Sequence, residues 1–193
     1  RTCSVHSYNN YFDGNAKYGV GVTMGASAFV ENNYFRNCKD PMMSSGQGTD
    51  ALGEGTFSGE PGGIIKAYNN VIVGASSYIP YAENNTSFDA YEVSSPSETV
   101  PSSVTALSGG STYNNFDTDS SIMYSYTADA PEDVPSIVTA HAGRVDGGDF
   151  QWQFDNAVDD ESYAVNQELK NALVAYTSSI ARIGGNFSDS SSG

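Results

Sequence analysis

The chain has 193 residues, with eight Lys and Arg against 23 Asp and Glu, for a formal net charge of −15. Such a field repels phosphate backbones and anionic headgroups, which excludes nucleic acid and membrane surfaces as natural partners. No run approaches the about 20 apolar residues of a membrane-spanning helix, while the length is enough for one domain with a sizeable core.

Rich in Asn, Ser, Gly, Thr and Tyr and poor in Lys, the composition suits an extracellular or periplasmic protein that handles carbohydrate. No charged n-region followed by an apolar h-region marks a signal peptide. The chain opens at Arg1 rather than Met, so the expectation is that sequence upstream of it has been removed. Cys3 and Cys38 are too few for a disulfide framework and are compatible with either one bridge or two free thiols.

The first informative element is His6-Ser7-Tyr8-Asn9-Asn10-Tyr11-Phe12. It recurs as Phe29-Val30-Glu31-Asn32-Asn33-Tyr34-Phe35 and as Ile65-Lys66-Ala67-Tyr68-Asn69-Asn70-Val71-Ile72, with a weaker copy at Thr112-Tyr113-Asn114-Asn115-Phe116. The second Asn falls at 10, 33, 70 and 115, giving steps of 23, 37 and 45 residues. An alternating run that ends in Asn-Asn plus an aromatic fits one coil of a parallel β-helix, an all-β fold in which equivalent residues of successive coils stack about 4.8 Å apart. Asn suits the bend, because it tolerates left-handed backbone angles and its amide can bond to the Asn of the next coil. The longer steps predict loops: glycine-rich Asp40–Gly63, containing Met42 and Met43, and Ser77–Ser111, whose Ser- and Pro-rich part Ser94–Ser103 reads as either a mobile piece or an ordered wrap.

From Asp117 the repeat fades. Ala130–Pro135 reads as a turn before a short segment, Ser136–Gly143. Val165, Leu169, Leu173, Tyr176, Ile180 and Ile183 keep helical spacing, with Asp159, Asp160 and Glu161 ahead of them and Gly184-Gly185 behind. They predict an amphipathic helix over 159–183 that packs on the coils or caps them. The expected layout is β-helix coils over 1–143 and a C-terminal segment over 144–193.

Among chemical candidates, His6 lies within an alternating strand and reads either as a structural hydrogen-bonder or as a functional group, a catalytic acid or base or a substrate contact. Lys17 and Tyr18 follow the first coil's bend and are candidates to contact acidic sugars. Asp50, Glu54, Glu60 and Asp89 lie in the long loops, and Asp146, Asp149 and Asp155 lie further on. None has the spacing of an EF-hand or a tight carboxylate cluster, so no metal site is assigned. Nothing matches a Ser-His-Asp triad, a P-loop or a zinc site.

Arg1-Thr2-Cys3-Ser4-Val5-His6-Ser7-Tyr8-Asn9-Asn10-Tyr11-Phe12 resembles the motif region of pectate lyases of the right-handed parallel β-helix class, which carry Arg-x-Pro-x-x-Arg-x-Gly-x-x-His-x-Tyr-Asn-Asn-Tyr. Cys3 stands where that motif has glycine. Val134-Pro135-Ser136-Ile137-Val138 with Ala142-Gly143 resembles the family's closing segment more loosely. The resemblance implies β-elimination on polygalacturonate or pectin: a base removes the proton alpha to a uronate carboxylate and the 4-linked sugar leaves without water. It implies that Arg1 is the motif's second arginine, which orients substrate, and that the basic arginine and the ligands of Ca²⁺ lie upstream. On that reading the chain is the C-terminal part of the enzyme, truncated at its N-terminal end and inactive without the missing part. Two other readings remain: a polygalacturonase-type hydrolase, which needs clustered Asp residues not seen near the repeats, and a non-catalytic β-helix that only binds pectin.

Overall fold

The computed structural model describes residues 2–52, 57–75, 77–142, 150, 152 and 164–177. The chain divides into two compact units, Arg1–Ala140 and His141–Gly193.

The first unit is built from short parallel strands. They are β1 (Ser4–Tyr8), β2 (Tyr11–Asp13), β3 (Tyr18–Val22), β4 (Ser27–Glu31), β5 (Tyr34–Arg36), β6 (Asp40–Ser44), β7 (Ile64–Tyr68), β8 (Val71–Val73) and β9 (Tyr91–Glu92). They form three sheets, ordered β1-β4-β7-β9, β2-β5-β8 and β3-β6. Every pairing between these strands is parallel, with Ser4 opposite Ser27, Ser27 opposite Ile64 and Lys66 opposite Tyr91. The architecture is therefore all-β with parallel strands and few, short helices, and the chain visits the first sheet at steps of 23, 37 and 25 residues.

The two asparagines at each bend do different work. The first, Asn9, Asn32 or Asn69, takes a left-handed backbone with φ of 53°, 49° and 49°, which Asn tolerates better than most residues. The second stacks: Asn33 Oδ1 accepts from the backbone N–H and the side-chain amide of Asn10, both at 2.9 Å, and Asn70 Oδ1 accepts the same pair from Asn33 at 3.0 Å. Asn33 is fully buried, and its amide also donates to Ser7 O and Glu31 O. A second left-handed corner follows the second sheet at Gly14, Asn37 and Gly74; a Cβ on Gly74 would lie 2.1 Å from Asn37 Oδ1, so only glycine fits.

Two hydrophobic cores lie on opposite faces of the first sheet. Ala28, Val30, Ile65 and Ala67 point into the space between the three sheets with Val22, Phe35, Cys38 and Met42, and Phe12 stacks on Phe35 at 4.6 Å. Phe29 and Ile64 point the other way, against Val100, Val104, Ala106, Tyr113 and Phe116 from the chain after β9. Lys66, 0% exposed, sits over the Phe29 ring at 4.7 Å, donates to Pro96 O at 2.8 Å, and pairs with Asp117, which also accepts from the Tyr113 hydroxyl at 2.6 Å.

Several expectations change here. Met42 and Met43 lie in a fully buried strand, β6, in which the Met42 side chain continues the apolar surface begun by Val20 and Val22 while Met43 stands opposite Gly21; the excursion between coils begins only after Ser44. The fourth strand of the first sheet is Tyr91–Glu92, not Thr112–Phe116. Asn115 does take the left-handed angle, φ 53°, but its amide binds Val100 and the chain enters a 3₁₀ turn, Phe116–Thr118, so the word closes the outer core instead of a coil. Ser94–Ser103 is an ordered wrap, held by Val100 in that core and by Glu98 bonded to Ser94. Cys3 and Cys38 are free thiols, the first exposed and the second buried.

Short helices α1 (Thr49–Leu52) and α2 (Val134–His141) interrupt the β structure. In the second unit the described helix, α3, is Gln167–Ala175 alone. Asn166 caps it through Leu169 N at 3.0 Å, and Tyr176 is already extended at ψ 124°, so one helix does not run through 159–183. Tyr-Thr-Ser-Ser after Ala175 has low helix propensity, which the apolar spacing alone did not register. Residues 153–163 and 178–193 lie outside the described residues.

Truncating Asn33→Ala leaves the Asn10 donors without their acceptor inside the stack, and should cost about 3 kcal/mol by urea unfolding, against about 1 kcal/mol for the outermost Asn10→Ala. Lys66→Met, which strands a buried Asp117 carboxylate, should cost about 3–5 kcal/mol, and adding Asp117→Leu should recover much of that loss.

Candidate functional site

The site candidates gather at the start of the two strands of the third sheet, β3-β6. A Cβ on Gly19 would meet the core ring of Phe35 at 2.8 Å, whereas one on Gly21 would meet the ring of Tyr18 at 2.8 Å. The Tyr18 ring therefore lies across Gly21. Asp40, which is buried, stands opposite Tyr18 in the ladder.

One residue earlier in each strand stand Lys17 and Lys39, both exposed. The Asp40 N–H donates to Lys17 O at 3.0 Å, so the two lysines occupy neighbouring rungs about 4.8 Å apart along the stack. Half of the chain's four lysines thus sit on one rim of a protein with a net charge of −15.

The excursion between β6 and β7 frames this face. Asp50, buried, accepts from Gly46 N at 2.7 Å and from Phe57 N at 3.0 Å, closing a loop that brings the Phe57 ring to 5.0 Å from Tyr18 at a tilt of 47°. Asp89, fully buried, ties α1 to the chain before β9: it accepts from Thr49 N and the Thr49 hydroxyl, both at 2.9 Å, and from Ile79 N at 2.8 Å. Burial pushes the Asp89 carboxyl up to about 6, against those three donors, and the charge of Asp40 adds to the rise. Burial also raises Asp40, with Asp50 reinforcing and Lys39 and Lys17 opposing.

His6 is elsewhere, on the outer face of the first sheet. Its side chain is 5% exposed, Nε2 pairs with Glu31 at 2.8 Å, Nδ1 pairs with the Tyr124 hydroxyl at 2.9 Å, and Tyr126 bonds the same carboxylate. Both ring nitrogens are committed to internal partners, and the ring stacks on Tyr8 and Phe29. The structure thus brings Lys17 and Tyr18 together and keeps His6 apart from them. Arg1, Glu54, Asp146, Asp149 and Asp155 lie outside the described residues. Glu60 is exposed, and its carbonyl accepts from Ser45.

Sequence reasoning missed Lys39, Asp40 and Phe57. The signal for the first two was present: Asn15-Ala16-Lys17-Tyr18 and Asn37-Cys38-Lys39-Asp40 are the same repeat 22 residues apart, beyond the Asn-Asn word that anchored the register. Among the described residues no group of three or more His, Cys, Asp or Glu is arranged to hold a metal ion, so the Ca²⁺ implied by the resemblance finds no ligand set in them.

A stretch of 39 residues is 49% identical to two proteins of Bacillus licheniformis, each named pectate trisaccharide-lyase. The match covers 20% of this chain and 11% of each relative, so the chain is matched over about a tenth of the curated relatives' length. The likeness to proteins of that name is confined to this one segment. No family model and no solved structure matches it.

The raised Asp89 sets a pH dependence. With a folded value of about 6 against 3.8 for an ordinary aspartate, the folded protein holds a proton that the unfolded chain releases, so stability falls as pH rises from about 4 to 6 and stays low above. The urea midpoint of the wild type should drop across that window relative to Asp89→Asn, which lacks the ionisation; parallel curves would contradict the assignment.

Proposed function

We propose that this chain is the downstream portion of an exported pectate lyase with a right-handed parallel β-helix fold, and that the outer face of β3-β6 is part of its substrate-binding surface. The observation that carries the reading is the pair Lys17 and Lys39 on adjacent rungs beside the Tyr18 and Phe57 rings. A polyuronate offers one carboxylate per sugar, and a pyranose ring is about as long as the coil spacing, so consecutive carboxylates can meet consecutive lysines. The lysines supply charge-assisted hydrogen bonds, and the rings supply apolar faces for the C–H side of a sugar. The 39-residue likeness to the pectate trisaccharide-lyases supports the same substrate class.

Cleavage on this reading is a β-elimination. A base takes the proton alpha to the carboxylate, the C4–O bond breaks, a C4–C5 double bond forms on the new non-reducing end, and no water is consumed. Arg1 is the substrate-side arginine of the motif, and the base is upstream of it. Lys17 and Lys39 hold neighbouring carboxylates and do not touch the transferred proton. Their role is to hold the chain in register for the reacting sugar. Among the described residues no ligand set for calcium is arranged.

Joined to its upstream coils, the protein should convert polygalacturonate to an unsaturated product seen as rising ultraviolet absorbance, and new reducing ends without that absorbance would sink the lyase reading. In the 193-residue chain, Lys17→Ala and Lys39→Ala should each weaken binding of a galacturonate trisaccharide about tenfold, with the loss shrinking at high salt.

A further inference from the structure

The asparagine ladder ends in donors with nothing to hold. At each earlier rung one side-chain oxygen of the next coil accepts both the backbone N–H and the side-chain amide, at 2.9 Å for Asn10 on Asn33 and 3.0 Å for Asn33 on Asn70. Asn70 repeats the upstream half of this pattern, since its amide donates to Val30 O at 2.8 Å as that of Asn33 donates to Ser7 O at 2.9 Å. The downstream half is missing: among the described residues the Asn70 N–H meets no acceptor. No asparagine follows there, because the chain leaves β9 through Val93 and Ser94, and the second and third sheets end at β8 and β6.

At this end of the ladder lies a cleft of about 200 Å³, lined among others by Met42, Ala67, Asn70, Ile72, Glu92 and Val93. Met42 and Ala67 belong to the inner core and Ile72 packs against it, so the cleft opens onto the downstream end of that core. Glu92 is exposed, and the Tyr78 hydroxyl donates to its carboxylate at 3.0 Å, which leaves acceptor capacity to spare. The lining thus combines donors on Asn70, an acceptor on Glu92 and an apolar surface.

Those groups select a chemistry. The Asn70 donors call for an acceptor oxygen, Glu92 calls for a group that donates, and a hydroxyl-bearing molecule supplies both. A carboxylate in the lining, in a protein with a net charge of −15, disfavours an anion. The apolar part suits a C–H face, and the volume, below that of pockets for drug-sized ligands, holds one ring and not a chain. A lone carboxamide would fit the ladder position as Asn33 and Asn70 do, but would leave most of the lining uncovered. We propose that this cleft is a binding site for a neutral sugar ring, one of whose oxygens takes the next ladder position on Asn70 while a hydroxyl donates to Glu92. The site does not depend on the polyuronate reading: it lies at the bend of the third coil and the end of β9, and its carboxylate selects against the uronates that Lys17 and Lys39 favour.

The test is titration of the isotopically labelled 193-residue chain with the methyl glycosides of galactose, glucose and mannose, followed by backbone amide shifts, for wild type, Glu92→Ala and Asn70→Asp, with thermal unfolding of each variant as the check on folding. Asn70→Asp keeps the side-chain oxygen that receives Asn33 and removes the amide donor; Glu92→Ala changes an exposed side chain and decides the matter if the other variant does not fold. At least one glycoside should give saturable shifts at Asn70, Val71 and Val93, with each substitution weakening it about tenfold and the corresponding methyl uronide binding there about tenfold more weakly than its neutral parent at pH 7. The assignment is overturned if none of the three sugars moves those amides, if acetamide moves them while no sugar does, or if Glu92→Ala binds as the wild type does. Shifts confined to Lys17–Gly21 and Lys39–Met43 would also overturn it, while leaving the polyuronate surface standing.

Discussion

The first unit hangs on a corner that few residues can make. At each bend between the first and second sheets the backbone must turn through a left-handed conformation, and Asn9, Asn32 and Asn69 accept it. The following asparagine then converts that corner into a stacking device, because one side-chain oxygen receives both the main-chain and the side-chain donors of the coil next to it. A one-residue slip would lose these bonds and reverse every side chain between core and surface. The ladder therefore sets register for all three sheets, including the third, which contains no asparagine pair. Lys17 comes to lie next to Lys39, and Tyr18 next to Asp40, because of hydrogen bonds made two corners away.

The same asparagines reach outward. The side chains of Asn9 and Asn32 both donate to the carbonyl of Asp129, and Asn9 Oδ1 accepts the Asp129 N–H. Together with Tyr124 and Tyr126 on the His6–Glu31 pair and Asp117 on Lys66, they bind the chain after β9 over the outer face of the first sheet. Buried charge is an expensive way to cover a sheet, since two ions must be desolvated where apolar residues would serve. It brings a directional fit that apolar packing lacks: Lys66 accepts only a strap that presents a carbonyl and a carboxylate at the right places. The wrap covers the outer face of the first sheet, while the excursion after β6 packs Phe57 against Tyr18 of the third, whose strand β6 is buried throughout.

Much of this was readable from the chain. The recurring Asn-Asn-aromatic word gave the parallel strands, their spacing of 23 residues and the first two bends. It failed at Thr112–Phe116, where Asn115 has the same backbone angle but bonds to Val100 instead of to a coil neighbour. Local sequence encodes the corner, and only long-range context decides whether a coil follows. The outer core was not legible, because Lys66 and Asp117 are 51 residues apart and an isolated Lys in a strand reads as solvent-facing. Lys17 and Tyr18 were found through the first copy, while Asp40 was read as the start of a loop and Lys39 stood just before it. Their strand lacks an alternating pattern, being buried throughout. Phe57 could not be found at all, since its place depends on two backbone N–H groups captured by Asp50.

The central claim is that the asparagine ladder aligns a sugar-binding face on β3-β6. The most direct measurement is an NMR titration of the isotopically labelled 193-residue chain with a galacturonate trisaccharide, following backbone amides. The account predicts saturable shifts at Lys17–Gly21, Lys39–Met43 and Phe57, with the amides of β1, β4 and β7 unmoved. Shifts confined to the strap around Tyr124 and Tyr126, or none outside the second unit, would contradict it.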